Sequence, residues 1–183
     1  MTTQMPRFLD IEASSLSNTS YPIEIAWSNG QGNIESYLIN PNPIGEWTDW
    51  DYYAQHEIHG ISRAMCSEKG IHPEQMCDLM SQSIKVREAI YADGGRFDEN
   101  WIDVLYGAGS TLGYAQFYVP HSDTVMLPLL MQVEPDEKKR WRLYEELQVE
   151  ARKIVKGQHR AKVDVQYLIE LWKLCFSLSR IGI

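Results

Sequence analysis

The chain has 183 residues, of which 44% are hydrophobic and 23% charged, as expected of a globular protein with room for one domain and a sizeable core. No stretch approaches the ~20 apolar residues that a membrane helix needs, and no basic region followed by an apolar run marks a secretory signal. The formal net charge of −8 argues against tight binding to long nucleic-acid duplexes.

The first predicted element is a strand that ends near Ala13 and carries two acidic residues, Asp10 and Glu12. Side chains alternate between the two faces of a strand, so both carboxylates point the same way as Phe8. Their Cα atoms should lie roughly 6.5–7 Å apart. Carboxylates at that distance repel each other unless a cation lies between them. The pair therefore indicates either a metal site or two solvated acids on an exposed face.

The next segments predict a sheet that begins as an antiparallel meander. Alternating apolar residues predict strands over 21–28 and 34–39, joined by the turn sequence Asn-Gly-Gln-Gly at 29–32. Residues 52–82 are predicted as short helices interrupted by glycine and proline. Residues 88–92 follow as a buried strand.

A helix is predicted over 97–106, because Phe97, Trp101, Val104 and Leu105 recur at helical spacing. Asp98 lies beside this apolar stripe. A carboxylate here is either a ligand that faces a site or a partner of the helix dipole near the first turn.

A short strand over 116–119 and a long helix over 135–154 complete the middle of the chain, before the last predicted helix over 162–178. That last helix has an apolar stripe: Leu168, Leu171, Trp172 and Cys175. One turn before the stripe stands Asp164, and an ionised carboxylate there is costly unless a metal or a basic residue pairs with it. His159 precedes Asp164 on the approach loop, so both side chains can face one cavity.

Positive charge is concentrated near the end of the sequence. Residues 138–183 contain 11 basic and 5 acidic side chains, whereas residues 1–137 contain 6 and 20. The basic segment leads into His159 and Arg160, where phosphates could gather. Alternatively, many of these charges belong to a solvated helix face with nearby glutamates. Short single-stranded ends are the partners that this distribution favours.

Four segments together resemble the DEDDh 3′–5′ exonucleases of the ribonuclease H-like superfamily, such as ribonuclease T and oligoribonuclease. They are Phe-Leu-Asp-Ile-Glu at 8–12, Ile-His-Gly-Ile-Ser at 58–62, Arg-Phe-Asp-Glu-Asn-Trp-Ile at 96–102 and His-Arg-Ala-Lys-Val-Asp at 159–164. The order and spacing of these segments match the family over most of the chain. The last segment carries the His-x4-Asp pattern that defines this branch.

The resemblance implies an α/β fold: a ribonuclease H-like mixed sheet, with an antiparallel meander and parallel strands, flanked by α-helices. It further implies that one domain over residues 1–183 removes nucleoside 5′-monophosphates from the 3′ ends of single-stranded RNA or DNA. Asp10, Glu12, Asp98 and Asp164 would hold two Mg²⁺ or Mn²⁺ ions, and His159 would be the general base. Several members of the family pair, so a homodimer is also expected.

The residues expected to contact substrate are Ala13, Ser14, His59, Ile61 and Arg160. Ile61 would place an apolar side chain against a terminal base, as the resemblance implies. Many relatives have threonine where Ala13 stands, so the hold on the terminal sugar differs here. Many also have His-Asn before the second aspartate, where this chain has Asp93 and glycines. Asp93 therefore competes with Asp98 for a supporting role.

Two other interpretations stay open. His56, Glu57 and His59 are reminiscent of a zinc hydrolase, but the two histidines are three residues apart rather than four. A binding module that kept the fold without catalysis is the second alternative.

Trp47 and Trp50 could stack on bases or pack a loop onto the core. An odd number of cysteines, three, predicts no disulfide framework, which favours the reducing cytoplasm.

Overall fold

A computed structural model describes residues 4–157 and 159–181 of the chain. The strands in this part are β1 (Leu9–Ala13), β2 (Pro22–Ser28) and β3 (Ile34–Leu38). The helices are a short π-helical turn (Ala54–Ile58), α1 (Arg63–Lys69), α2 (Pro73–Ser83), α3 (Arg96–Gly109), α4 (Asp123–Met131), α5 (Glu137–Ile154) and α6 (Ala161–Ile181).

The antiparallel meander predicted from the sequence is confirmed. β2 pairs with β1 on one side and β3 on the other, and Glu12 lies directly opposite Glu24. The Asn29 side chain shapes the turn between β2 and β3, because its Oδ1 accepts from the amides of Gln31 and Asn33. The predicted strand boundaries differ from those observed by only one residue.

The predicted parallel strands are not formed as strands in the part of the chain that the structure describes. Tyr91 exchanges backbone hydrogen bonds with Arg7 and Leu9, and residues 88–90 do so with Tyr118, but each contact is an isolated parallel bridge. The segments are too short for a continuous ladder. One begins after Arg87, whose φ of 63° turns the chain, and the other is interrupted at Pro120, which has no amide to donate, before Ala92 bonds to Pro120 and Ser122.

The sheet separates two hydrophobic clusters. On one face, Leu9, Ile11, Ile23, Ile25 and Trp27 pack with α1, α2 and α3. On the other face, Phe8 and Ala26 pack with α4, α5 and α6. Strand alternation therefore directs Asp10, Glu12 and Glu24 toward the α6 side.

Helix α6 confirms the predicted apolar stripe, since Leu168, Leu171, Trp172 and Cys175 are all buried. In α3 the stripe is displaced from the prediction, because Phe97 is 49% exposed whereas Trp101 and Leu105 are buried. The three cysteines are free and buried, as the sequence predicted. No helix within the described residues is both long and apolar enough to cross a membrane.

Candidate metal centre

Asp10 and Glu12 are held by strand β1, which has backbone partners on both edges. Asp10 pairs with Ala26 of β2, and on the opposite edge the Leu9 amide donates to the Tyr91 carbonyl at 2.9 Å. The strand is therefore fixed in position and rotation. Both acidic side chains lie on the face covered by α6, as the sequence predicted.

Asp164 reaches the same place from the first turn of α6. Its amide donates to the Arg160 carbonyl at 3.1 Å, which fixes it at the start of the helix, and its side chain is buried. Asp10, Glu12 and Asp164 each offer a carboxylate oxygen, and these three atoms lie within 4.8 Å of one another. Hard divalent cations such as Mg²⁺ and Mn²⁺ prefer oxygen ligands of this kind.

Asp98 lies outside that group of three but next to it. It occupies the first turn of α3 and is only 2% exposed, and its Oδ2 atom has no hydrogen-bond partner among the described residues. A side chain at Gly94 would collide with this oxygen, so the glycine leaves room for the carboxylate. A buried carboxylate oxygen without a partner fits a site that receives a cation.

The electrostatics of the cluster favour proton or metal binding. Burial raises the pKa of Asp10 well above its ordinary value, and the charges of Asp98, Asp164, Glu12 and Asp93 raise it further. Burial, followed by Asp164, raises the pKa of Glu12 to about 7. Burial, followed by Asp93, raises the pKa of Asp98 to about 7. Loss of hydration and the charge of Asp164 also raise the pKa of Asp93.

The five acidic groups are thus close enough for their charges to interact, although they come from distant parts of the sequence. A cation would relieve this repulsion. The donor set fits Mg²⁺ or Mn²⁺ and gives no support to zinc at His56 and His59. In residues 4–157 and 159–181, the one cluster of three potential ligands is the carboxylate group around Asp10.

His159 is an exposed residue on the loop before α6. It lines a cleft of about 360 Å³ together with Gly157, Val163 and Asp164, and with two residues of the α5 end, Arg152 and Val155. The histidine and the aspartate therefore share one cavity, as their spacing in the sequence suggested.

Arg152 provides a cation at one edge of the cluster, a role that no motif in the sequence indicates. Its Nη1 atom donates to Asp164 Oδ1 at 2.6 Å, and its guanidinium lies 3.6 Å from the centre of the Tyr167 ring. On the sequence alone, Arg152 is one of many basic residues of a solvated helix. Only the packing of α5 against α6 shows which of them faces the site.

The residues expected to contact substrate lie in several environments. Ser14 is buried, and its Oγ accepts from the Tyr21 amide. Ala13 ends β1 with a side chain at 9% exposure. His59 is buried and accepts from the Ile61 amide through Nδ1, and burial lowers its pKa. Ile61 is fully buried in the core, so contact with a base would need a local rearrangement, and its role stays a prediction.

Arg160, the fifth of these residues, is half-buried and pairs with Glu24 on β2. Its Nε donates to Glu24 Oε2 at 2.8 Å, and its Nη2 donates to Oε1 at 2.5 Å. The sequence analysis did not single out Glu24. Strand alternation predicts that Glu24 lies on the other face of the sheet from Ile23 and Ile25, but not whether that face is solvated. In the structure, α6 covers it.

The sequence left base stacking or packing open for Trp47 and Trp50. Trp50 is partly buried against the core, and its Nε1 donates to Gln55 Oε1 at 2.9 Å. Trp47 is buried and stacks on Tyr21 with ring centres 5.0 Å apart, which favours packing over base stacking. Tyr52 and Tyr53 are exposed.

No protein-family model and no curated protein matches the sequence. Solved structures do match the fold. Exonuclease I from Methylocaldum szegediense is 17% identical, with a TM-score of 0.62 over 90% of this chain and 39% of the other. E. coli exonuclease I in complex with a 5cy-dA13 oligonucleotide is 15% identical, with a TM-score of 0.58 over 94% and 42%. The chain has the fold of exonuclease I.

This similarity confirms, for the fold, the resemblance to DEDDh exonucleases that the sequence motifs indicated. The chain spans about two fifths of the length of either exonuclease I chain. At 15–17% identity the comparison establishes the fold alone, so activity and substrate have to be argued from the site.

Proposed function

We propose that this chain is a metal-dependent 3′–5′ exonuclease domain, extending over residues 1–183, that acts on single-stranded nucleic acid. The observation that carries the proposal is the convergence of Asp10, Glu12 and Asp164, whose carboxylate oxygens lie within 4.8 Å of one another. Asp98, with its unpaired buried oxygen, extends this cluster. Asp10 and Asp164 are 154 positions apart in the sequence. Burial of four acidic side chains close together is unfavourable unless a cation balances their charge.

In this proposal Asp10, Glu12, Asp98 and Asp164 hold two Mg²⁺ or Mn²⁺ ions. When bound, such ions stabilise the attacking and leaving oxygens of an in-line displacement at phosphorus. The carboxylates would place these ions beside the cleft that Asp164 and His159 line together. Burial of the cluster limits the number of waters that can compete for these positions.

His159 takes the proton from the attacking water. A histidine is suited to this role because its unperturbed pKa is about 6.5, near working pH. Its exposure at the mouth of the cleft lets the imidazole pass that proton to solvent before the next cycle. The expected products are nucleoside 5′-monophosphates, released one at a time.

A groove between the loop after β1 and helix α3 is suited to the 3′-terminal base. It measures about 330 Å³, and its lining combines apolar side chains, Leu16, Phe97 and Trp101 among them, with polar ones such as Asn18 and Asn100. Leu16 is 74% exposed, although exposure of a leucine to water is unfavourable, and it follows the β1 acids by only four residues. Bases stack and pack on such side chains regardless of sequence. We therefore expect weak sequence preference.

Digestion of oligonucleotides labelled at the 5′ end tests the proposal. With Mg²⁺ or Mn²⁺, the label should appear in a ladder of products shortened one nucleotide at a time, and EDTA should stop the reaction. An Asp10→Asn variant should be inactive, whereas Asp78→Asn, on the exposed side of α2, should behave like the unmodified protein. Binding without shortening would favour the non-catalytic alternative.

The same assay decides the substrate. Matched ribo- and deoxyribo-oligomers of several lengths, compared side by side, report the preferred sugar and chain length. The homodimer expected from the resemblance finds no support in the single chain and stays a prediction.

A further inference from the structure

The Glu24 carboxylate, buried at 3% exposure on β2, accepts from the segment that follows His159 and, at 3.4 Å, from the Ser36 hydroxyl on β3. The Arg160 guanidinium donates to both of its oxygens, at 2.8 and 2.5 Å. The backbone amide of Ala161 donates to Oε2 at 3.1 Å. A buried charge is tolerated only with such complete pairing.

These contacts fix the start of α6. The Arg160 carbonyl accepts from the amides of Val163 and Asp164, at 2.7 and 3.1 Å, so Arg160 is bound to the sheet by its side chain and to the helix by its backbone. The Ala161 side chain is fully buried. One residue thus connects a central strand to the first turn of the helix, 136 positions away in the sequence.

His159 immediately precedes this anchored residue and is itself exposed. Arg160 and Ala161 therefore hold the backbone that directly follows the histidine. We infer that Glu24 is a positioning residue for His159: it holds Arg160 and Ala161 against β2 and so fixes the loop from which the imidazole reaches the scissile phosphate.

This inference rests on the proposed function for the role of His159, and it assigns Arg160 to the protein rather than to the substrate. A phosphate contact by the Nε or Nη2 atom of Arg160 would require the guanidinium to leave Glu24. That would expose a buried carboxylate without its partner, next to Glu12 and its neighbouring acids.

Glu24→Gln is the first test, because glutamine keeps the length of the side chain and one oxygen acceptor but loses the charge. Assayed well below its melting temperature, this variant should lose about 10- to 100-fold in kcat, as expected when a catalytic group is displaced by about 1 Å. KM should change less than about twofold, because substrate contacts are kept. Glu35→Gln, on the exposed side of β3, is the matched control and should keep full rate.

The decisive measurement repeats the substitution without the histidine. In a His159→Ala background, Glu24→Gln should cost nothing further, because a residue that acts through His159 has no effect once the imidazole is absent. A further tenfold loss in that background would mean that Glu24 acts on the metal ligands instead and would overturn the inference. A rise in KM for Arg160→Lys with unchanged kcat would also overturn it, since it would indicate a phosphate contact.

Hydrogen exchange provides a readout that does not depend on activity. In the unmodified protein the amides of Ala161, Val163 and Asp164 should be protected, and Glu24→Gln should increase their exchange while the amides of β1 stay protected. Equal protection in both proteins would contradict the inference. Absence of nuclease activity in the unmodified protein would instead remove the proposed function and leave the anchoring of the loop testable by exchange.

Discussion

Asp10 is the acidic residue whose pKa is raised by the charges of all the other carboxylates in the cluster. Burial raises its pKa most, and the charges of four other acidic side chains raise it further. We expect Asp10→Asn to raise the melting temperature of the metal-free protein, because a neutral amide of the same shape removes this repulsion. The same substitution should abolish nuclease activity and the stabilisation by Mn²⁺, since it removes a ligand.

Differential scanning fluorimetry with EDTA or with millimolar Mn²⁺ measures both effects. At a hundredfold excess over its dissociation constant, a metal should stabilise the unmodified protein by about 2.7 kcal/mol per site if the unfolded chain does not bind it. Asp78→Asn is the control for the loss of one negative charge. A metal-induced shift that persists in Asp10→Asn would exclude Asp10 as a ligand.

The His159→Ala variant is expected to lose catalysis while keeping metal binding. His159→Ala should lower kcat by about 10²–10⁴, the usual contribution of a general base. The Mn²⁺-induced rise in melting temperature should persist, because the carboxylate ligands are intact. Full activity of His159→Ala across neutral pH would show that another group accepts the proton.

The residues of the acidic cluster were largely predictable from the sequence, whereas the residues that contact them were not. Asp10 and Glu12 follow from the period of a strand, and Asp164 from its place on the stripe of α6. Glu24 and Arg152 carry no such signal, because each becomes informative only when α6 packs on the sheet and on α5. Local periodicity determines which face a side chain occupies, but not what covers that face.

Among the elements, the pairing of α5 with α6 has the clearest functional consequence. Arg152 on α5 donates to Asp164 on α6 at 2.6 Å, so the guanidinium occupies one oxygen that a metal could use. We expect Arg152→Gln to lower the melting temperature of the metal-free protein, since Asp164 loses its cationic partner. The same variant should bind Mn²⁺ a few-fold more tightly, because the metal no longer competes with the guanidinium.

Isothermal titration with Mn²⁺ checks this expectation. Lys153→Gln is the matched control, because Lys153 pairs with the exposed Glu150 on the same helix and is remote from Asp164 in its contacts. Weaker Mn²⁺ binding by Arg152→Gln would indicate that Arg152 organises the site rather than competing for it.

Helix α4 and two extended segments show where prediction from the sequence fails. Helix α4 was not predicted, because Val125–Met131 is almost entirely apolar and contains Pro128, so neither a polar face nor a regular period marks it. Residues 88–92 and 116–119 have the composition of strands but form only isolated bridges. Composition predicted their extended path, but not that Pro120, which has no amide to donate, interrupts the pairing between them.

For the whole molecule, the acidic cluster links stability to pH and to metal. The pKa of Glu12 rises from 4.5 to about 7, and that of Asp98 from 3.8 to about 7. In both cases the folded state holds its proton more tightly than the unfolded state. Stability from these groups is therefore complete below about pH 4 and is lost as the pH rises toward about 7.

The metal-free protein should accordingly become less stable between about pH 4.5 and 7 through these two groups, because deprotonation places unbalanced charge in a buried cluster. A metal reverses the sign of this effect: it requires deprotonated ligands, so its affinity should increase over the same range. The stabilisation by Mn²⁺ should thus be small at pH 5.5 and large at pH 8.

Melting temperatures measured from pH 5 to 8.5, with EDTA and with Mn²⁺, give both curves. A Glu12→Gln, Asp98→Asn double variant should flatten them, whereas Asp78→Asn should not. If the Mn²⁺-induced shift were the same at pH 5.5 and pH 8, proton release from these carboxylates would not accompany metal binding, and the ligands would have to be sought elsewhere.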